Sequence, residues 1–63
     1  MVKEILKNGA IVIRRSKDVV LCTWRDEFVT WRTDDEGNAY WGHYFTNNFA
    51  LAVTDFAERT RTH

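Results

Sequence analysis

Four polar turn signals cut residues 1–46 into runs too short for helices, and within each run apolar and polar residues alternate as they do in strands. The strongest is "KNGA" at 7–10, because Asn8-Gly9 suits the positive φ angles of a two-residue type I′ hairpin. It predicts that Leu6 pairs with Ile11 and Glu4 with Ile13. Lys17-Asp18 and Asp26-Glu27 read as further two-residue turns. "DDEGNA" reads as a three-residue loop, Asp35-Glu36-Gly37, with Gly37 in the left-handed position of a bulge. These turns set Ile13 opposite Cys22, Ile11 opposite Trp24, Trp24 opposite Val29, Cys22 opposite Trp31, Trp31 opposite Trp41 and Val29 opposite His43.

The expected architecture is α+β: a five-stranded antiparallel meander followed by one C-terminal helix packed on one sheet face. That face gathers Val2, Leu6, Ile11, Ile13, Val20, Cys22, Trp24, Val29, Trp31, Ala39, Trp41, His43 and Phe45, because side chains two apart on a strand share a side. From Thr46 the period changes. Thr46, Asn47 or Asn48 serves as the cap, and Phe49, Ala52, Val53, Phe56 and Thr60 fall on one helical stripe. Asp55 stands four residues before Arg59, the spacing of an intrahelical ion pair.

With 63 residues the chain has room for a single domain, 1–63, and domains of this size bury only ~60% of the surface their unfolded chains expose. Three Trp, four Phe and two Tyr compensate with large buried areas, and self-association would add more. Nine basic and nine acidic residues cancel, so the net charge favours no class of partner. The lone Cys22 excludes an internal disulfide, and the short, charge-broken apolar run at the N-terminus resembles neither a signal peptide nor a membrane span. A cytoplasmic protein without membrane contact is the expectation.

"YWGHYF" at 40–45 raises the question of chemistry. In the expected register Trp41, His43 and Phe45 face the helix, so His43 reads as a hydrogen-bonded packing residue. Zinc needs three or four ligands, and Cys22, His43 and His63 stand at no such spacing. A Cys22–His43 pair would share a face but lacks an oxyanion donor and an orienting acid. No catalytic residue, metal or cofactor is therefore expected, and the chain reads as a non-enzymatic protein. Gly42, opposite Thr30, would leave a notch between Phe28, Tyr40 and Tyr44.

The face away from the helix then carries Lys3, Lys7, Arg14, Arg25 and Arg32 among Ile5, Val12, Val19, Leu21, Phe28, Tyr40 and Tyr44, while most acids sit in turns or on the helix. Phe28, Tyr40, Tyr44, Arg14, Arg25 and Arg32, with Leu51 on the back of the helix, are the candidate partner-binding residues. An apolar patch of this kind marks a contact with another protein or with a second copy in a homodimer. Rings interleaved with cations also suit single-stranded nucleic acid, which is the alternative.

A meander closed by a C-terminal helix from Ala10 to Arg61, with "DDEG" near its middle, resembles the dimeric single-stranded-DNA-binding domain of positive-cofactor-type transcriptional coactivators. The resemblance implies a dimer and single-strand binding. Where that family carries a basic, glycine-rich strand, this chain has "YWGHYF". That hexapeptide, with Asp55-Phe56 and Glu58-Arg59, is also similar to short uncharacterised bacterial or mobile-element proteins. The resulting expectation is a small regulator or inhibitor that works by protein binding and self-associates.

Overall fold

The computed structural model describes residues 4–61, so the expectations for Val2, Lys3 and His63 lie outside the described residues. Four strands, β1 (Ile11–Ser16), β2 (Val19–Trp24), β3 (Glu27–Thr33) and β4 (Ala39–Thr46), precede the helix α1 (Phe49–Arg61). The strands form one antiparallel sheet in the order β1-β2-β3-β4. The α+β class and the C-terminal helix agree with the sequence, but the described residues form four strands where five were expected.

Among the described residues the segment before β1 forms a bridge rather than a strand, and its loop is one residue longer than expected. Leu6 N–H donates to the Ala10 carbonyl at 2.9 Å, closing a three-residue loop, Lys7-Asn8-Gly9, in which Gly9 takes φ +92°. A type I′ turn would need positive φ at both Asn8 and Gly9. Here only the glycine takes it, and the Asn8 side chain accepts the Ala10 N–H at 3.0 Å. Among the described residues the N-terminal segment pairs with β1 through an Ile5–Ile11 bridge and a bond from Val12 N–H to the Glu4 carbonyl. Ala10 and Val12 lie on the tryptophan side and Ile11 away from it, the reverse of the expected placement, whereas Leu6 and Ile5 keep the sides expected of them.

The Lys17-Asp18 turn and the Asp35-Glu36-Gly37 loop lie where expected, with Ser16 opposite Val19, Thr33 opposite Ala39 and Gly37 at φ +84°. The central turn is Arg25-Asp26, both at positive φ, rather than Asp26-Glu27. Aspartate tolerates the left-handed region, and the turn sets the Arg25 guanidinium 4.5 Å from the centre of the Trp24 ring. The register moves by two residues, pairing Cys22 with Val29 and Val20 with Trp31. A shift of two preserves faces, so Trp24, Cys22, Val29 and Trp31 still share one side.

Two bulges do change faces. Ile13 is an extra residue between Val12, opposite Cys22, and Arg14, opposite Leu21. On β4, Trp41 and Gly42 together face Trp31, after which Thr30 pairs with His43, Val29 with Tyr44 and Phe28 with Phe45. Trp41 takes φ +54°, a conformation bulky residues seldom adopt, and Arg59 donates to its carbonyl at 2.6 Å. Beyond this bulge Tyr44 joins Trp24 and Trp31, while His43 and Phe45 turn to the opposite side.

The helix follows the second group. Asn47 at φ +55° reverses the chain, and Asn48 caps α1 by accepting the Leu51 N–H at 3.0 Å. Ala52 and Phe56 pack with Val19, Leu21, Phe28 and Phe45. The expectation that α1 covers the tryptophan face is thus overturned. That face is already closed by the N-terminal segment: Leu6 and Ala10 pack on Val20, Cys22, Val29 and Trp31, Trp24 Nε1 donates to the Asn8 carbonyl at 3.1 Å, and Glu4 is clamped by Arg15 through two bonds. The sheet therefore has a core on each side.

Candidate functional site

His43 stands on the helix side of β4, as the sequence suggests, but its ring is half exposed. Its Nδ1 lies 3.0 Å from both Asp55 oxygens. The same carboxylate accepts the hydroxyl of fully buried Thr30 at 2.5 Å and stands 3.5 Å from Arg59 Nε, which gives the helix the ion pair its spacing called for. Burial lowers the pKa of Arg59, and the charge of Asp55 works against that effect. The cluster ties the middle of α1 to β3 and β4. It orients an imidazole without bringing a nucleophile to it.

The expected shared face of Cys22 and His43 is not observed, because the β4 bulge carries His43 across the sheet. Cys22 is fully buried on the tryptophan side, and burial, reinforced by the Glu4 charge, pushes its thiol pKa up to about 12. Among the described residues no three His, Cys, Asp or Glu side chains converge on a metal position. A neutral, enclosed thiol is a poor nucleophile. A disulfide reagent at neutral pH should leave Cys22 unmodified in the native protein and label it as denaturant unfolds the chain. Because the unfolded thiol ionises near 9.0 and the folded one near 12, stability should decline as pH rises across that interval. Rapid labelling of the native state would contradict this placement.

The seven candidate contact residues do not form one surface. Phe28 is half-buried against Phe49 with ring centroids 5.0 Å apart, and Arg32 bonds Asp18 at 2.9 Å. Tyr40 meets Trp41 at 5.1 Å on the edge strand. Tyr44 lies on the opposite side of the sheet, 6.0 Å from Trp31. Arg25 is at the central turn, Arg14 on β1 and Leu51 on the outside of α1. The β4 bulge carries Tyr44 across the sheet, the central turn takes Arg25, and the helix covers the face of Phe28.

What the structure brings together instead is apolar. The helix packs on β2, β3 and β4 and leaves the near side of β1 uncovered. A groove of about 450 Å³ runs between them, lined by Ile13, Arg14, Leu21, Phe49, Val53, Phe56, Ala57 and Thr60. Ile13 (46% exposed), Phe49 (47%) and Val53 (39%) line it, while Ile11 (39%), two residues before Ile13 on β1, and Ile5 (61%), bridged to Ile11, lie outside its lining. Of these only Ile5 had been placed on an open face. The available signal was the width of the helical stripe: Phe49, Val53, Ala57 and Thr60 form a second row beside the Ala52–Phe56 row that fills the core.

The chain matches no protein-family model, no curated protein and no solved structure. No helix among the described residues is long and apolar enough to cross a membrane.

Proposed function

We propose that this chain is a small non-enzymatic protein-binding module whose contact surface is the groove between β1 and α1. The observation that carries the reading is the apolar lining left open there, where Ile13, Phe49 and Val53 are each 39 to 47% exposed. Arg14 is the one charged residue lining the groove among those described, so the recognition chemistry is apolar. Single-stranded nucleic acid would need rings and cations side by side. Tyr44 lies across the sheet from Arg14 and Arg32, and Arg25 on Trp24 is the one such stacked pair among the described residues, which supports the apolar reading over an extended single-strand track.

An apolar fluorescent dye at low micromolar protein tests this directly. The native protein should enhance its emission, and Ile13→Lys should abolish most of the gain while leaving the near-ultraviolet dichroism of the tryptophans unchanged. Labelled oligonucleotides should bind weakly at both low and raised salt. Steeply salt-dependent oligonucleotide binding, or dye enhancement indifferent to Ile13, would overturn the proposal.

A further inference from the structure

We infer that Asn8 is a self-modification site, at which the backbone nitrogen of Gly9 displaces the side-chain amide and the asparagine becomes isoaspartate. The only co-reactant is water. After losing its proton the Gly9 nitrogen attacks Asn8 Cγ, a C–N bond closes a cyclic imide, the Cγ–Nδ2 bond breaks, and the amide nitrogen leaves as ammonia. Water then opens the imide at either carbonyl. Opening at one restores the original chain path as aspartate, and opening at the other leaves the chain running through Cγ as isoaspartate.

The Lys7-Asn8-Gly9 loop supplies what this reaction needs. Gly9 carries no Cβ to obstruct the approach of its nitrogen to Cγ. Ala10 N–H donates to Asn8 Oδ1 at 3.0 Å, the distance at which a donor stabilises the negative charge that this oxygen gains as the nitrogen attacks. The Gly9 N–H donates to the Leu6 carbonyl at 2.9 Å, so ring closure waits for that one bond to open. Lys7, Asn8 and Gly9 are all exposed, and such loop tips open at the lowest cost.

The other three asparagines lack this combination. Asn38 has its amide nitrogen held by Asp34 at 3.0 Å and precedes Ala39, which is paired in β4. Asn47 precedes Asn48, whose side chain obstructs the ring. Asn48 also receives an N–H on its Oδ1, from Leu51, but the nitrogen that would attack belongs to Phe49 at the start of α1.

Conversion at Asn8 bears on the tryptophan side of the sheet and not on the groove, whose lining does not include this residue. Isoaspartate adds one backbone carbon between Leu6 and Ala10, which are joined by a 2.9 Å bond and packed on Val20, Cys22, Val29 and Trp31. The Asn8 carbonyl that accepts Trp24 Nε1 at 3.1 Å becomes a carboxylate hanging off the chain. The loop that closes this core therefore loses its fit.

Prolonged incubation of the folded chain in mildly alkaline buffer, followed by peptide mapping and isoaspartyl methylation, tests the inference. Ammonia should be released, a more acidic species should appear on ion exchange, and methylation should map to residue 8, with Asn38, Asn47 and Asn48 intact. Gly9→Ala should slow the conversion about tenfold by crowding the ring. A Cβ there meets nothing within 4 Å, so this variant keeps the fold. In the purified isoaspartyl species a disulfide reagent should reach Cys22 about tenfold faster than in Asn8→Asp, which carries the charge without the extra carbon. Persistence of Asn8 in the folded chain over a period in which the urea-unfolded chain converts, or conversion spread evenly over the four asparagines, overturns the site. Equal protection of Cys22 in the isoaspartyl and Asn8→Asp chains overturns the consequence drawn for the core.

Discussion

Gly42→Ala is expected to destabilise the protein by about 3 kcal/mol, near the top of the usual range for overpacking a core, and to lower its melting temperature by roughly 15 °C for a domain of this size. A Cβ at this position would stand 2.5 Å from Trp31 Nε1, 2.8 Å from Trp31 Cδ1 and 3.1 Å from Tyr44 Cε1. The indole has no room to give way. It is buried, with Trp24 at 5.4 Å and Tyr44 at 6.0 Å in edge-to-face contact. Where the sequence suggested an open notch at Gly42, the bulge has laid the Trp31 ring over the glycine instead.

Gly37→Ala is the informative comparison. Its Cβ would meet only Lys7 Cε, at 3.8 Å, so the cost there is the strain of alanine at φ +84°, about 1 kcal/mol. Chemical denaturation of both variants should therefore rank Gly42→Ala well below Gly37→Ala. Equal stability of Gly42→Ala and wild type would show that Trp31 does not lie across this glycine.

Asp55→Ala should cost a similar amount, about 3 kcal/mol, by a different route. The carboxylate receives the buried Thr30 hydroxyl and faces His43 and the largely enclosed Arg59. Its removal strands a hydroxyl that water cannot reach and leaves a desolvated guanidinium without its nearest anion. Asp55→Asn keeps an acceptor for Thr30 and should cost less. Thr30→Val removes the hydroxyl while conserving its shape, at about 1 kcal/mol, since the carboxylate retains its other partners. Once Thr30 is valine, Asp55→Ala has one fewer orphan to create, so the double variant should lose less than the two single losses combined. Strict additivity in urea titrations would mean that the two side chains act independently and that Asp55 does not anchor α1 to β3.

The turns were legible wherever local chemistry decides them. Gly37 and Gly9 adopt the positive φ that glycine permits without a clash, and both close three-residue loops. Lys17-Asp18 and the asparagine cap of α1 were equally readable. The central turn was misplaced by one residue at each end, which moved the register by two and left the faces intact. The other discrepancies were single-residue changes: the extra Ile13 and the Trp41–Gly42 bulge moved side chains across the sheet, and the longer Lys7-Asn8-Gly9 loop returned Leu6 and Ile5 to their expected sides. Even so, Trp24 and Trp31 share a side, and His43 and Phe45 face the helix.

The candidate surface suffered most because it depended on every strand at once. Arg14 and Tyr44 were expected on one open face, and the β4 bulge carries Tyr44 off it while the helix covers much of the rest. The open groove was hidden for the converse reason. Ile11 and Ile13 are strongly apolar and read as core, yet β1 extends beyond the reach of a single 13-residue helix.

By itself the sequence determined where the chain turns, which runs extend and where the helix begins, because those depend on φ preferences, side-chain caps and the period of apolar residues within a few positions. Which face the helix takes, and so which apolar residues stay in the open, was decided only in three dimensions. A bulge inserts one residue into a ladder at little local cost, and the choice rests on whether Trp31 finds Gly42 beneath it, Leu6 finds the tryptophan side and Asp55 finds Thr30. Those partners lie 11 to 25 residues or more apart, where strand alternation carries no information.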